Sequence, residues 1–221
     1  MSFFFYLIGS VDEKPLNPGS AGLTQTDFTA LSAALSPPLN SFFFSATINL
    51  KDGDYMKTTA AAYFAGGCFW CITPAFKETA GVLDVISGYS GGDEENPVYA
   101  DVKYQRTGHR ETIRIDYNPE IVSFETLFDI FLAGVDPFDA GGQFIDRGHS
   151  YTLAVYHLND TERQIAQAAI RRLEAESGQS VYISLEPFKH FYMAEEEHQD
   201  YYLKHPAEFE QELIDSGRKE R

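Results

Sequence analysis

The two cysteines of this 221-residue chain, Cys68 and Cys71, follow a pair of glycines and are separated by two residues. A disulfide that closes so small a loop adds little stability, so the pair suits chemistry better than structural support. The glycines let the backbone turn sharply and predict that Cys68 lies where a strand ends and a helix begins. Unpaired N–H groups at a helix N-terminus stabilise a thiolate. Cys68 is therefore the candidate attacking thiol, and Phe69 and Trp70 would form an apolar wall beside its sulfur.

The Cys-x-x-Cys pair leaves other interpretations open. A general disulfide oxidoreductase uses this motif, although the bulky Phe69 and Trp70 fit poorly into the compact turn between its cysteines. A metal-binding module would need two histidines as further ligands. His190 and His198 are eight residues apart, whereas zinc sites space paired histidines by about three to five. Structural core cysteines and a non-catalytic interaction protein are the remaining alternatives.

Two further polar residues are expected to point inward, by strand alternation. Glu111 shares a strand face with Ile113 and Ile115, so a buried carboxyl group is predicted, with an exposed strand-end glutamate as the alternative. Tyr151 would open another strand and face the same way as Leu153. A phenol there would keep its ring in the core and offer its hydroxyl to a site.

The elements that must position these groups follow from hydrophobic periodicity and turn residues. The clearest is a helix from 124 to 132, with five apolar residues on one stripe behind the candidate N-cap Ser123. A helix over 69–79 would tolerate Pro74 only in its first turn. Further helices are expected over 160–177, capped by Asn159 or Asp160, and from 194 onward. Strands are predicted over 60–65, 82–89, 111–117, 151–157 and 181–185.

This order of elements predicts an α+β fold. We expect a two-layer α/β sandwich with a ferredoxin-like split βαβ core and a mainly antiparallel sheet. Residues 1–56 hold several prolines and glycines with poor periodicity, so we interpret them as a weakly structured N-terminal extension. Met56 offers an alternative start for translation. Residues 57–221 would form the functional domain.

Composition and charge exclude several classes of partner. Hydrophobic residues make up 43% and charged residues 23%, the balance of a folded globular domain. With 33 acidic against 17 basic residues, the net charge of −16 disfavours nucleic acid and anionic membranes. No apolar run approaches the roughly 20 residues of a spanning helix. The first basic residue, Lys14, follows the apolar opening instead of preceding it as in a signal peptide, so we expect a cytoplasmic protein.

A family resemblance adds to these observations. The Gly-Gly-Cys-Phe-Trp run at 66–70 resembles the signature of the A-type peptide methionine sulfoxide reductases. Other motifs of that family follow in its order: Gly-Tyr-Ser-Gly-Gly at 88–92, Asn-Pro-Val-Tyr at 96–99, Thr-Gly-His-Arg-Glu at 107–111, Gly-Gln-Phe-Ile-Asp-Arg-Gly at 142–148, Ser-Tyr at 150–151, Ala-Glu at 194–195, His-Gln at 198–199 and Tyr-Tyr at 201–202. The resemblance covers residues 57 to about 206.

The resemblance implies a thiol-dependent reductase that converts methionine S-sulfoxide, free or in proteins, to methionine and so repairs oxidised proteins. By this resemblance Cys68 is the nucleophile and Glu111 the general acid. Tyr99, Asp146 and Tyr151 would hydrogen-bond the sulfoxide oxygen or organise the site. Oxide is a poor leaving group, so a carboxylic acid must donate a proton as the S–O bond weakens. Glu111 would then need a pKa raised by an apolar pocket.

The same resemblance assigns the substrate's methyl group to a pocket formed by Phe69 and Trp70. It implies no cofactor and no metal, only an external thiol reductant such as thioredoxin, and we expect a monomer. Four matched residues would support the site from behind: Gly67, His109, Glu195 and His198.

Attack by Cys68 would leave a sulfenic acid. Cys71, the only other thiol of the chain, could condense with it to a disulfide that a dithiol reduces. Many family members instead carry a recycling cysteine in a C-terminal extension. The tail of this chain has no cysteine, so recycling is expected to use Cys71 or to act directly on the sulfenic acid. Thr73 and His149 depart from the family pattern, which bears on rate and substrate preference.

Overall fold

A computed structural model describes residues 58–219 of the chain. The extension predicted over 1–56 lies outside these residues. In chain order the strands are β1 (Ala60–Gly66), β2 (Val82–Ser90), β3 (Arg110–Tyr117), β4 (Gly142–Gln143), β5 (Asp146–Arg147), β6 (Leu153–His157), β7 (Ile183–Pro187) and β8 (Tyr192–Met193). The helices are α1 (Phe69–Lys77), α2 (Tyr99–Lys103), α3 (Phe124–Ala133), α4 (Asp160–Ser177), α5 (Tyr201–Lys204) and α6 (Pro206–Asp215).

Six strands form one sheet in the order β7-β6-β1-β3-β2-β8, and β4 pairs with β5 in a separate hairpin. Strand β3 lies antiparallel between β1 and β2, which is the arrangement of a split βαβ unit. The pair β6–β7 is parallel and sits at one edge. The predicted α+β fold with a mainly antiparallel sheet is confirmed. Since Phe64 pairs with Ile113, the start of β3 lies beside the turn from β1 into α1.

Alternation along β1 divides the interior between the two faces of the sheet. Phe64 lies in the larger core, which α1, α3 and α4 help to enclose, and it packs against Phe128 and Phe131. Tyr63 points to the other face, where it stacks on Phe188 at 4.2 Å. Both faces are therefore covered near the strand that leads to the cysteines.

Capping residues fix the ends of the two longer helices as predicted. The Ser123 side chain accepts a hydrogen bond from the Thr126 amide at 3.1 Å, which satisfies an N–H group at the start of α3. Asn159 does the same for the Glu162 amide at the start of α4. Gly178 ends α4 in the left-handed region with φ of 68°.

The structure differs from the predicted elements in three places. Tyr151 lies in a 3-10 turn before β6 and not in the strand, so its direction is set by that turn and not by alternation. Pro74 is the sixth residue of α1, beyond the first turn, and the carbonyl of Trp70 loses its helical partner there. The tail after 194 is divided into a 3-10 turn and the helices α5 and α6. Between residues 58 and 219, no helix has the length and apolar character to cross a membrane.

Candidate active site

Cys68 is the N-cap residue of α1, at the turn predicted from the glycine pair. The turn depends on Gly67, whose φ of +78° lies in the left-handed region. A Cβ atom there would also lie 2.6 Å from the Cβ of Gln143, so the hairpin β4–β5 packs directly on the backbone of the turn. The Cys68 side chain is 4% exposed and faces a cavity. The turn at Gly67 therefore fixes the position of the Cys68 thiol at the edge of the cavity.

The cavity has a volume of about 690 Å³ and brings together residues from α1, α2, β3, the β4–β5 hairpin, the 3-10 turn before β6 and α6. The predicted site residues in its lining are Cys68, Trp70, Tyr99, Glu111, Asp146 and Tyr151. The remaining lining residues are Lys103, Ile145, Ala207, Glu208, Gln211, Glu212 and Asp215. The four predicted catalytic side chains besides the thiol come from four separate elements, so the fold gathers them from distant parts of the sequence.

Glu111 is buried, as the strand alternation predicted, and the alternative of an exposed glutamate is wrong. Its Oε2 atom accepts a hydrogen bond from the Phe69 amide at 3.1 Å, which ties β3 to the first turn of α1. The Tyr151 hydroxyl donates a second hydrogen bond to this carboxyl group. Burial nevertheless raises the pKa of Glu111 to about 8, because the hydrogen bonds offset only part of the desolvation. The carboxyl group is therefore mainly protonated at neutral pH and can donate a proton.

Tyr99 and Tyr151 face the cavity with their hydroxyl groups protonated. Burial raises the pKa of both phenols well above the usual range, and the nearby Glu111 carboxyl group adds to the effect. Both can therefore act as hydrogen-bond donors toward an oxygen atom in the cavity.

The hairpin β4–β5 presents Asp146 to the cavity. Gln143 holds the hairpin in place, since its Oε1 atom accepts from the Asp136 amide at 2.7 Å and its Nε2 atom donates to the Asp136 carbonyl at 2.8 Å. Burial raises the pKa of Asp146, and the positive charges of Arg218 and Lys103 oppose the rise. Sequence reasoning did not assign Gln143 a role, although it belongs to the 142–148 motif.

Aromatic rings form one wall of the cavity. Trp70 stacks on Tyr201 with ring centroids 3.9 Å apart and lies 6.0 Å from Tyr99. Phe69 is fully buried and packs behind Trp70 and Tyr99, outside the cavity lining. Trp70 and not Phe69 therefore offers the apolar surface beside the sulfur.

Glu195 lies behind Tyr99, outside the cavity lining. Its two carboxylate oxygens accept hydrogen bonds from the Tyr99 amide at 2.9 Å and from the Tyr89 hydroxyl at 2.8 Å. His198 lies against Tyr99, with ring centroids 4.1 Å apart. These contacts fix the start of α2 and thereby the Tyr99 ring.

His109 lies away from the cavity. Its ring is fully buried, with Nε2 at 2.8 Å from the Glu94 carbonyl and Nδ1 accepting from the Gly92 amide at 3.3 Å. It therefore organises the loop that follows β2 and does not reach the reacting groups.

The ionisation of Cys68 differs from what its position at a helix start predicted. The pKa of the thiol lies well above its ordinary value, because the thiol is hydrogen-bonded to the Cys71 sulfur and is buried. The carboxyl groups of Glu111 and Glu212 raise this pKa further. Cys68 is consequently a neutral thiol at rest, and the N–H groups of α1 do not outweigh these effects.

Three side chains could hold a metal ion. The ligand atoms of Cys68, Cys71 and Glu212 lie within 4.8 Å of one another. The two histidines that a zinc module would have needed, His190 and His198, are not part of this cluster. Structural zinc sites have four protein ligands, so this three-residue cluster is a weak candidate for one.

Helix α6 was not predicted to reach the site, yet it contributes five residues to the cavity lining. Its closest approach is at Glu212, whose Oε1 atom accepts a hydrogen bond from the Cys68 thiol at 3.5 Å. The acidic character of the tail was visible in the sequence, but its placement required the tertiary structure.

The two departures from the family pattern have local roles. Thr73 is buried within α1, where its hydroxyl donates to the Phe69 carbonyl at 2.7 Å. The Nε2 atom of His149 lies 2.9 Å from the Gly108 carbonyl, outside the cavity. Neither residue contacts Cys68 or Glu111 directly.

Comparison with known proteins agrees with this geometry. The family described as "Peptide methionine sulfoxide reductase" matches residues 60–221. The peptide methionine sulfoxide reductase MsrA of Bacillus subtilis (strain 168) is 44% identical over 160 residues, which cover 71% of this chain and 90% of the relative. The MsrA of Bacillus licheniformis is also 44% identical, with 71% of this chain and 88% of the relative covered. The chain belongs to the peptide methionine sulfoxide reductase family, a family of oxidoreductases.

Solved structures of this family share the fold. Methionine sulfoxide reductase A of Corynebacterium diphtheriae is 30% identical with a TM-score of 0.62, covering 67% of this chain and 76% of its own. The reduced form of Mxr1 from Saccharomyces cerevisiae is 28% identical with a TM-score of 0.63, covering 70% and 89%. The peptide methionine sulfoxide reductase motifs of this chain therefore lie in the fold expected for them.

Proposed function

We propose that this protein reduces methionine S-sulfoxide, free or within peptides and proteins, to methionine and thereby repairs oxidised proteins. The observation that carries the proposal is the pairing of a thiol with a protonated carboxylic acid in one cavity. Cys68 lies at the start of α1, and Glu111 accepts the amide hydrogen of the next residue at 3.1 Å. A raised pKa of about 8 gives Glu111 the proton that sulfoxide reduction requires.

The first step combines attack and proton donation. The Cys68 sulfur attacks the sulfoxide while Glu111 donates its proton to the oxygen, because oxide would otherwise be a poor leaving group. The hydroxyl groups of Tyr99 and Tyr151 would hydrogen-bond that oxygen, and Asp146 would help to organise the site. The S–O bond of the substrate breaks and the protonated oxygen passes to the Cys68 sulfur, which loses its thiol proton; the products are methionine and a sulfenic acid.

Cys71 resolves the intermediate in this proposal. It lies one helical turn after Cys68, and the two sulfur atoms are within 4.8 Å of each other. Formation of a disulfide bond requires the sulfurs to approach to about 2.05 Å, so a local adjustment of the first turn of α1 must follow oxidation. An external dithiol of the thioredoxin type would then reduce the disulfide. We expect the protein to act in the cytoplasm as a monomer without a cofactor.

The substrate's methyl group would pack on the apolar wall. Trp70 lines the cavity beside Cys68 and is held by its stacking on Tyr201. This wall would contact only the end of the methionine side chain and not the rest of the substrate. Such contacts agree with a substrate that is either a free amino acid or part of a protein surface.

Turnover of each methionine sulfoxide epimer tests the proposal, measured with dithiothreitol and separately with a thioredoxin system. The wild type is compared with Cys68→Ser and Cys71→Ser. We expect reduction of the S epimer alone, loss of all turnover in Cys68→Ser, and loss of the thioredoxin-dependent reaction alone in Cys71→Ser.

Two results would reject the proposal. Unchanged turnover in Cys68→Ser would exclude this thiol as the nucleophile. Efficient reduction of protein disulfides, with none of either sulfoxide epimer, would instead establish the general disulfide oxidoreductase that the Cys-x-x-Cys motif allows.

A further inference from the structure

Helix α6 places a second carboxyl group on the nucleophile. The Cys68 thiol donates to Oε1 of Glu212 at 3.5 Å, within the range of a sulfur hydrogen bond. Glu212 also lines the cavity, together with Glu111 and Asp146. The Cys68 sulfur therefore has two hydrogen-bonding neighbours, the Cys71 sulfur and the Glu212 carboxyl group.

The two glutamates beside Cys68 have different environments. Glu111 is 1% exposed and lies inside the sheet, whereas Glu212 is only partly buried on a helix at the edge of the cavity. Burial raises the pKa of Glu212 too, and the charge of Asp146 adds to the rise, whereas the hydrogen bond from Cys68 and the positive charges of Arg218 and Lys103 oppose it. Two carboxyl groups in unequal environments take separate acid and base roles in other enzymes.

We propose that Glu212 is the general base of the first step, which accepts the Cys68 proton as that sulfur attacks the sulfoxide. This inference rests on the proposed function and extends it with an acid–base pair. Glu111 donates a proton to the sulfoxide oxygen, and Glu212 accepts the proton of the Cys68 thiol.

The step balances in atoms and electrons. The sulfur–oxygen bond of the substrate breaks and an oxygen bond to the Cys68 sulfur forms, giving a thioether and a sulfenic acid. The substrate sulfur gains two electrons and the Cys68 sulfur loses two. The thiol proton passes to Glu212, the proton of Glu111 remains on the transferred oxygen, and exchange through solvent returns one proton from Glu212 to Glu111.

A base is needed because the resting thiol is neutral. Its surroundings hold the proton on sulfur, as the hydrogen bond to Cys71 and the burial of Cys68 both favour the uncharged form. The charged and titratable groups that face Glu212 are Cys68 and Cys71 from α1, Tyr99 and Lys103 from α2, Glu111 from β3, Asp146 from β5, Tyr201 from α5 and Arg218 after α6.

Single-turnover formation of methionine, followed from pH 5.5 to 10 without reductant, tests this role. The variants are Glu212→Gln, which keeps the shape, and Glu212→Asp, which keeps the charge. Glu210→Gln removes the same charge from the same helix, where Glu210 is exposed and pairs with Lys219, and serves as the control. Unfolding in urea checks that each variant is folded.

We expect Glu212→Gln to slow the step by about 100-fold at pH 7, within the range of general-base catalysis. The rate of this variant should rise with pH as the thiol ionises without a base, and it should fall where Glu111 loses its proton. The flat wild-type optimum below the Glu111 pKa of about 8 should therefore become a narrow peak above pH 8. Glu212→Asp should restore the acid limb of the wild-type profile at a lower rate. Glu210→Gln should match the wild type.

Three results separate the possibilities. If Glu212→Gln keeps both the rate and the pH profile of Glu210→Gln, Glu212 is not the base. If Glu212→Gln is faster than the wild type, the hydrogen bond between Cys68 and Glu212 inhibits attack by the thiol, and the base role is wrong. If the wild type forms no methionine at all, the proposed function itself fails, whereas the first two results leave it intact.

Discussion

Replacement of Glu111 by glutamine should make the fold more tolerant of alkaline pH while removing the acid from the site. The wild-type carboxyl group has a pKa of about 8 in the folded protein against an ordinary value of 4.5, because it is buried. A group whose pKa is raised by folding contributes stability below its unfolded pKa and loses that contribution as the pH rises to the folded pKa. Glutamine carries no proton to lose, so the variant lacks this dependence.

The magnitude follows from the pKa of the folded protein. Each pKa unit corresponds to about 1.4 kcal/mol, so complete ionisation of Glu111 costs the folded state about 5 kcal/mol. The part lost between pH 6 and the folded pKa of about 8 is about 3 kcal/mol. The Phe69 amide and the Tyr151 hydroxyl can both donate to the glutamine oxygen, whereas its buried NH₂ group lacks an assured acceptor and costs about 1–3 kcal/mol. That cost does not vary with pH.

Urea unfolding at pH 6 and pH 9 measures the difference. The free energy of unfolding of Glu111→Gln relative to the wild type should rise by about 3 kcal/mol between the two pH values. Titration of Cys68 occurs in both proteins and largely cancels in the comparison. Glu176→Gln, an exposed change on α4, is the control and should follow the wild type at both pH values.

The reasoning is refuted if Glu111→Gln and the wild type lose equal free energy of unfolding between pH 6 and pH 9. Glu111 would then be ionised in the folded protein at pH 6, and it could not be the proton donor at neutral pH. Sulfoxide reduction by the variant provides a second check, since removal of a general acid should slow it by about 10²–10⁴-fold.

Two further changes test how the site is held. Gly67→Ala should lower the free energy of unfolding by about 2 kcal/mol or more and abolish activity, because φ is +78° and the new Cβ would lie 2.6 Å from a hairpin side chain. Gly178→Ala is the control, because Gly178 has a similar φ of +68° but nothing lies within 4 Å of the added Cβ. This change should lower the free energy of unfolding by about 1 kcal/mol and leave activity unchanged. Equal effects of the two substitutions on urea unfolding would contradict the packing argument. Tyr89→Phe should cost about 1–3 kcal/mol through its hydrogen bond to Glu195, whereas the exposed Tyr104→Phe should be neutral, and equal urea midpoints would contradict this.

Local rules were sufficient for much of the fold. The stripe of apolar residues behind Ser123 predicted α3, and alternation placed Glu111 inside the sheet. Short elements without periodicity were missed, namely α2, the hairpin β4–β5 and β8. A two-residue strand has no pattern of its own, because its pairing partners and not its side chains define it. Tyr151 was placed in a strand because the 3-10 turn before β6 continues the same alternation by coincidence.

The site residues likewise divide into those that sequence motifs predict and one that only the tertiary structure reveals. Cys68, Tyr99, Asp146 and Tyr151 were found from motifs, and the structure brings them to one cavity with Glu111. Glu212 had no motif and lies in a helix whose acidic face resembles an ordinary solvated surface. Its contact with Cys68 joins residues 144 positions apart, and such proximity depends on how the chain end packs, which local sequence does not encode.

The raised pKa values of Cys68 and Glu111 share a cause, which is the burial of both groups. Burial holds a proton on both groups, so the Cys68 thiol and the Glu111 carboxyl group are both uncharged at rest. A neutral thiol reacts slowly with oxidants in general, since the thiolate is the nucleophile. A sulfoxide needs a proton on its oxygen as its sulfur is reduced, and Glu111 can supply one only while it stays protonated. In the proposed reaction, the same desolvation that suppresses oxidation of Cys68 keeps Glu111 protonated for the sulfoxide, and the remaining requirement is a base that takes the thiol proton at the moment of attack. Glu212, hydrogen-bonded to that thiol at the cavity edge, is placed to meet it.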